Sequence, residues 1–156
     1  MASHSIVPAT PEHIIEIARN IRPPDVREVW ASCMRRPLEA LQAGLQMSEL
    51  ARVGMVHGKP VCAWGVVRES LLFNSGIPWM LGTKELENHA VKFLRNSKPE
   101  LMKIFENYDL LENYVDARNT LSIRWLKWLG FKFDEAKPYG VFGLPFHRFS
   151  MEKEHV

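Results

Sequence analysis

The stretch from Asn119 to Phe133, "NTLSIRWLKWLGFKF", contains the pattern that decides the fold. Its apolar residues recur every three or four positions, as they do in a helix with a buried face. These residues are Leu121, Trp125, Leu126, Trp128 and Leu129. Gly130 suits the end of that helix, and Asn119 stands where a helix cap belongs. With the alternating "LENYVDA" before it and "FKF" after it, the stretch predicts strand, helix, strand.

The segments on either side predict an α+β fold. "SIVPAT" predicts a first strand, three short helices follow, and "ARVGMVH", "PVCAWGVV" and "IPWML" predict three successive strands. Residues 83–108 predict two helices, because Ser97 has capping-box spacing to Glu100. "FKFDEA" and "YGVFGLPFHRFSM" predict two last strands. We therefore expect one mixed, mostly antiparallel sheet flanked by helices, in a single domain spanning residues 1–156.

Composition narrows the classes of function. The chain has 156 residues and a formal charge of +2, with 20 basic and 18 acidic residues and no block of like charge. That balance gives no reason to expect nucleic acid as a partner. No apolar run approaches the ~20 residues of a membrane-spanning helix, so no membrane association is expected. Two cysteines do not make a disulfide framework, which favours a reducing cytoplasm.

The central stretch also carries a family resemblance. "VDARNTLSIRWLKWLGFKF" resembles the strand, helix and strand in the C-terminal half of GNAT-type N-acetyltransferases. The matching positions are Asn119, Ser122 and Gly130-Phe131. "IVPATPEH" resembles the first strand and helix of the same family, and the order of elements fits over nearly the whole chain. The resemblance implies a GNAT-like acyl-CoA N-acyltransferase fold.

A narrower resemblance involves viral proteins. "PWMLGTKEL", "LLENYVDARN" and "FHRFSM" are similar to segments of GNAT-like proteins of tailed bacteriophages, including internal virion proteins of short-tailed phages. This resemblance implies a place in the bacterial host cytoplasm during infection or in the virion. It also implies that the partners are phage virion proteins or a host protein.

The GNAT resemblance implies that acetyl-CoA is a co-substrate. In that family the fourth and fifth strands splay apart around the thioester, so the gap here would be lined by residues 79–82 and 114–118. The diphosphate would lie at the strand-to-helix turn, where free amides favour anions. The coenzyme-binding residues implied are Leu81, Gly82, Thr83, Lys84, Asn119 and Ser122. The alternative is that Gly82-Thr83 is an ordinary strand-to-helix turn without a ligand.

Amide formation needs a base for the attacking ammonium and an acid for the leaving thiolate. The family's tyrosine acid corresponds here to Leu126, which cannot donate a proton. Glu69, at the end of the third-strand run, is a candidate base, although a glutamate at a strand end is more often a solvated side chain. Arg124 could reach a coenzyme phosphate, pair with Asp116 or be solvated. The tryptophans of the helix are expected in the core.

The six histidines and two cysteines show neither metal-ligand spacing nor a nucleophile motif, so no metal is expected. Two main functions stay open. One is an acetyl-CoA-dependent N-acetyltransferase acting on a host or phage protein or on a small amine. The other is a non-catalytic phage virion or assembly protein that retains the fold. A weaker third is a factor that binds a host protein.

Overall fold

A computed structural model describes residues 4–153, and a mixed eight-stranded sheet organises them. The strands are β1 (His4–Pro8), β2 (Ser48–Val56), β3 (Lys59–Ser70), β4 (Ser75–Gly82), β5 (Leu110–Asp116), β6 (Lys132–Phe133), β7 (Lys137–Tyr139) and β8 (Leu144–Glu152). The helices are α1 (Pro11–Arg19), α2 (Pro23–Cys33), α3 (Pro37–Met47), α4 (Lys84–Phe105) and α5 (Thr120–Leu129). This arrangement confirms the predicted α+β class.

The strand order is β1-β2-β3-β4-β5-β8-β6, with β7 paired to β8. Every pairing is antiparallel except that between β4 and β5, which is parallel and joins only Ser75 to Leu110 and Gly76 to Leu111. The β2–β3 hairpin turns at His57 and Gly58, whose φ angles of 52° and 74° are those of a tight hairpin turn. The short β4–β5 pairing leaves these two strands apart over most of their length.

Each face of the sheet carries its own apolar core. On one face, β3 and β8 pack against α4 and α5 through side chains that include Trp64, Phe93, Trp125 and Phe149. The other face packs against α1 and α3, where Ile17 and its neighbours meet Ala63 of β3. Successive residues of β3 point to opposite faces, so Ala63 and Trp64 belong to different cores. The sheet is therefore buried on both sides.

The prediction of two helices in residues 83–108 is wrong. A single helix, α4, passes through Ser97 and contains Pro99. Ser97 is 3% exposed and lies on the same helix face as Phe93, Leu94 and Leu101. Burial of that continuous apolar face outweighs the local cap signal, because most helical stability in proteins comes from packing.

Two further expectations are corrected. Trp128 is 46% exposed rather than part of the core, and the Lys98 ammonium lies 4.3 Å from its ring centroid. A cation above the face of an indole is a favourable surface arrangement. The C-terminal part forms three strands rather than two, because residues 137–139 turn back onto β8 as a separate short strand.

Candidate functional site

The divergence of β4 from β5 creates a cavity in the sheet. After Gly76 and Leu111 the two strands no longer pair, and a cavity of about 470 Å³ opens between them. On the side of α4 and α5 its walls are mostly apolar, with Leu101, Phe105, Ser122, Trp125, Leu126 and Leu129. On the other side they include Glu28, Ser32, Cys33, Arg35, Gly44 and Met47. Its size is that of a small-molecule site, about 300–1,000 Å³.

Asn113 bridges the narrow end of the gap. Its Nδ2 donates to the carbonyl oxygen of Pro78 on β4 at 2.8 Å, and its Oδ1 accepts from the amide of Tyr114 at 2.8 Å. One side-chain amide thus satisfies a backbone group on each of the two separated strands. The bridge fixes the width of the gap where the strands begin to diverge.

Tyr114 and Tyr139 form part of the wall on the α2 side. Their rings stack with centroids 4.1 Å apart and planes inclined by 12°. Burial raises the pKa of Tyr139, and the neighbouring Tyr114 adds to the effect. The Tyr139 hydroxyl therefore stays protonated at neutral pH, and the stacked pair gives this wall a rigid surface.

Glu28 is the carboxylate on the cavity wall. It lies in the middle of α2, is half-buried, and accepts hydrogen bonds on Oε1 from the amide of Asp116 at 2.8 Å and from Asn119 Nδ2 at 3.3 Å. Burial raises the pKa of Glu28 from 4.5 to about 8, and the nearby charge of Asp25 contributes. Glu28 can therefore both hold and release a proton near neutral pH.

A buried polar cluster stands next to Glu28; it consists of Arg22, Asp25 and Asn119. Arg22 Nη1 donates to Asp25 Oδ1 at 2.7 Å and to Asn119 Oδ1 at 3.2 Å, while Asn119 Nδ2 donates to Asp25 Oδ1 at 3.0 Å. The three residues are at most 2% exposed. Burial raises the pKa of Asp25 against the opposing effect of the Arg22 charge.

The turn between β4 and α4 has its amides bonded within the chain. The amide of Gly82 donates to Asp25 Oδ2 at 2.8 Å, that of Thr83 to the carbonyl oxygen of Val61 at 2.8 Å, and that of Lys84 to the carbonyl oxygen of Asn20 at 3.1 Å. Thr83 is 3% exposed, and its hydroxyl does not cap α4. The carboxylate of Asp25 therefore binds the end of β4, two residues before the first residue of α4.

The six residues expected to bind a coenzyme divide between the cavity wall, the bonded turn and the buried polar cluster. Leu81 and Ser122 line the cavity. Gly82 and Thr83 are buried in the bonded turn, and the side chain of Lys84 is exposed. Asn119 precedes α5 as expected, but its side chain neither caps that helix nor lines the cavity, since it is buried in the polar cluster.

The two positions considered for catalysis, Leu126 and Glu69, also lie in different surroundings. Leu126 lines the cavity, whereas Glu69 is exposed near the end of β3 and does not line it. The alternative pairing of Arg124 with Asp116 is not formed. Asp116 binds Arg118 instead, with Nη2 to Oδ2 at 2.7 Å, and Arg124 is exposed.

Sequence reasoning missed Asp25 and Glu28. The two are one helical turn apart in "PPDVREVW", and the buried Val29 follows directly. Acidic residues next to the buried position of a short helix are unusual, since carboxylates are rarely buried without partners. This position of two acidic residues beside a buried one is the feature of the sequence from which a buried acidic site could have been predicted.

Neither a metal-ligand group nor a membrane-spanning helix is found between residues 4 and 153. Within this range, histidine, cysteine and carboxylate side chains form no group of three that could hold a metal ion. None of its five helices is both long and apolar enough to cross a membrane.

Solved acetyltransferase structures match this chain over nearly its full length. The yncA protein of Salmonella typhimurium, solved with its cofactor acetyl-CoA, is 15% identical with a TM-score of 0.71, over 99% of this chain and 96% of that one. A GNAT-family acetyltransferase from Streptococcus pneumoniae is 12% identical with a TM-score of 0.64, over 97% and 100% of the two chains. The ribosomal-protein-S5-alanine acetyltransferase of Vibrio fischeri is 14% identical with a TM-score of 0.65, over 97% and 93%. No protein-family model and no curated protein sequence matches the chain.

These similarities and the splayed β4–β5 pair show that the chain has the GNAT acetyltransferase fold. At these identities the likeness establishes the fold alone, because one fold hosts many functions. The cavity suits an acyl-pantetheine arm, since it is mostly apolar and bounded by two separated strands. The β4–α4 turn does not suit the diphosphate of coenzyme A, because its amides are already bonded and Asp25 adds a negative charge.

Proposed function

We propose that this protein is an N-acyltransferase that takes its acyl group from a thioester held between β4 and β5. The observation that carries the proposal is Glu28, a carboxylate with a raised pKa on the wall of the cavity that the splayed strands create. A proton acceptor with a pKa near the working pH is what amide formation from an ammonium group requires. Acetyl-CoA is the simplest donor to test.

In the proposed reaction Glu28 accepts a proton from the acceptor ammonium. The free amine nitrogen then attacks the thioester carbonyl carbon, the new C–N bond forms, and the C–S bond breaks with its electron pair on sulfur. Both hydrogen bonds to Glu28 in the described residues end on Oε1, which leaves Oε2 for the proton. The bonds from Asp116 and Asn119 also fix the carboxylate, as general-base catalysis requires.

The leaving thiolate does not need a protein acid in this proposal. Leu126 lines the cavity at the position where the GNAT family has its tyrosine, and it cannot donate a proton. An ordinary thiol has a pKa of about 8.5, so a thiolate is a tolerable leaving group and can take a proton from water. The cost is a slower reaction than in an enzyme that holds an acid in position beside the sulfur.

The acceptor is proposed to be an amine of a host or phage protein, or a small amine. The wall on the α2–α3 side offers Ser32, Arg35 and the flexible side chain of Met47. Met side chains adapt to varied surfaces, which suits an acceptor segment of a protein. Arg35 would favour an acceptor with a carboxylate near the reacting amine.

The test compares wild type with Glu28→Gln and Glu69→Gln. Purified protein is incubated with acetyl-CoA and either a peptide with a free amino terminus or a small diamine, and release of coenzyme A is followed by chromatography. Glu28→Gln should lower kcat/KM by about 10²-fold or more, while the matched Glu69→Gln should behave as wild type because Glu69 does not line the cavity. Equal activity in all three proteins would refute the role of Glu28.

We also propose an alternative, a non-catalytic phage virion or assembly protein that retains the fold. The bonded amides of the β4–α4 turn and the apolar Leu126 favour it, since both remove features that the GNAT reaction uses. Its partners would be virion proteins or a host protein, in the host cytoplasm or in the particle. Stoichiometric presence in purified virions, with no thioester turnover, would support this alternative; absence from particles would contradict it.

A further inference from the structure

We propose that the donor of this acyltransferase is a pantetheine thioester that is recognised without its diphosphate, so that the β4–α4 turn is not a phosphate site. The inference rests on the proposed function and specifies the donor class for the same cavity. It predicts that the protein does not distinguish coenzyme A from shorter pantetheine thiols.

The first argument is that the backbone amides of the β4–α4 turn already have hydrogen-bond partners within the protein. A phosphate at a helix start binds to amides that have no other partner. Here the amides of Gly82, Thr83 and Lys84 each donate to a protein oxygen at 3.1 Å or less. The carbonyl oxygen of Gly82 accepts from the amide of Arg22 at 3.0 Å, so the chain entering α2 lies along this end of β4. A diphosphate would have to separate the two segments.

The second argument is charge. Asp25 bonds the Gly82 amide and is 2% exposed, and the carboxylates of Glu28 and Asp116 are close enough to influence one another. A diphosphate placed on the amides of the β4–α4 turn would lie next to the carboxylate of Asp25 in a region of low dielectric, where like charges repel strongly. Asp25 thus puts a buried negative charge directly before the amides that begin α4, where a phosphate would have to lie.

The third argument is that the buried cation is already used. Arg22 Nη1 binds Asp25 and Asn119, and its Nε binds Glu87 at 3.2 Å. The guanidinium of arginine carries five N–H donors in a fixed planar arrangement. In Arg22 three hydrogen bonds hold this group against Asp25, Asn119 and Glu87, so it is not free to turn toward a phosphate. On this turn Lys84 is the cation that faces solvent, and a flexible exposed lysine is a weak basis for phosphate binding.

The pantetheine arm itself is then the part of the donor that the protein can recognise. Its amides can bond the backbone of the separated strands, as an added strand would, and its thiol end would lie in the cavity that Glu28 lines. Pantetheine thioesters occur free, in coenzyme A and on carrier proteins. These sources share the arm that fits the cavity and differ in the group attached at its far end.

The main experiment measures binding of pantetheine and of coenzyme A to the wild-type protein by calorimetry under reducing conditions. We expect the two dissociation constants to agree within about threefold, since the adenosine diphosphate part makes no contact at the turn. Tighter binding of coenzyme A by about tenfold or more would overturn the inference. Turnover of acetyl-pantetheine, acetyl-CoA and an acetylated carrier protein then identifies the source, because the donor with the highest kcat/KM is the one used.

The variant Asp25→Ala tests whether Asp25 is the reason that coenzyme A is not preferred over pantetheine. This change frees the Gly82 amide and leaves the Arg22 guanidinium without its carboxylate partner, so preference for coenzyme A over pantetheine should rise by about tenfold or more. Asp25→Asn is the matched control: its side-chain oxygen still accepts from Gly82, and we expect the preference to stay near one. Lys84→Gln should also leave the wild-type ratio unchanged. An unchanged ratio in folded Asp25→Ala, or a fall in coenzyme A binding alone in Lys84→Gln, would contradict the argument.

The wild-type comparison stands even if Asp25→Ala does not fold. Failure of the inference and failure of the proposed function are also distinct. If coenzyme A binds much more tightly than pantetheine and is turned over, the inference fails and the acyltransferase stands. If neither thiol binds and no thioester is consumed, the proposed function fails and the inference fails with it.

Discussion

Replacement of Arg22 by methionine should destabilise the protein strongly, and more so at high pH. The side chains of Arg22 and Asp25 are each 3% exposed, and their charged atoms are 2.7 Å apart. Methionine keeps most of the apolar volume of arginine but removes the positive charge and its donors. The Asp25 carboxylate then loses its counter-charge, and Asn119 Oδ1 loses a donor.

The magnitude comes from the burial of these groups. Removing one partner of a buried ion pair costs about 3–5 kcal/mol of unfolding free energy. The pair of Arg22 with the half-exposed Glu87 adds at most about 1 kcal/mol. Since Asp25 can escape the penalty by binding a proton, and burial already raises its pKa, we expect a smaller loss at pH 5 than at pH 8.

Urea unfolding followed by tryptophan fluorescence measures this directly, because the chain has five tryptophans. With a slope of about 2 kcal/mol/M, the midpoint at pH 8 should fall by about 2 M. Arg124→Met, at an exposed position of α5, is the matched control and should change stability by less than about 0.5 kcal/mol. A loss below about 1 kcal/mol at pH 8, or the same loss at pH 5 and pH 8, would refute the reasoning.

Two further predictions concern stability. Because the pKa of Glu28 is raised from 4.5 to about 8, unfolding releases its proton between these values, so the unfolding free energy should fall as pH rises through that window. Glu28→Gln should lack this part of the slope in urea titrations, and a constant difference from wild type over pH 5–8 would contradict the assignment. Gly54→Ala should cost about 1–3 kcal/mol, since a Cβ there would lie 2.4 Å from the ring of Phe93. Thermal unfolding of Gly54→Ala/Phe93→Leu should recover part of that loss, and no recovery would place the strain elsewhere.

Most of the fold was predictable because its signals are local. The spacing of apolar residues after Asn119, and Gly130 with its φ of 106°, give α5 its limits whatever surrounds it. Where local and tertiary signals compete, the tertiary one prevails. Ser97 has the spacing of a helix cap but lies buried inside α4, and Trp128 has the spacing of a core residue but lies under Lys98 at the surface.

The sequence by itself determined the α+β class, the order of the elements and the resemblance to the GNAT fold, because hydrophobic periodicity and turn chemistry act between neighbours in the chain. Only the tertiary structure decided the site. Asp25 meets Gly82 and Asn119 across 57 and 94 residues, and Glu28 meets Asn119 across 91. No local pattern encodes such pairs, since they form only when α2, the end of β4 and the start of α5 pack together. That packing buries Asn119 in a polar cluster and puts Glu28 on the wall of the cavity, because a buried polar group must find its partners wherever the fold brings them.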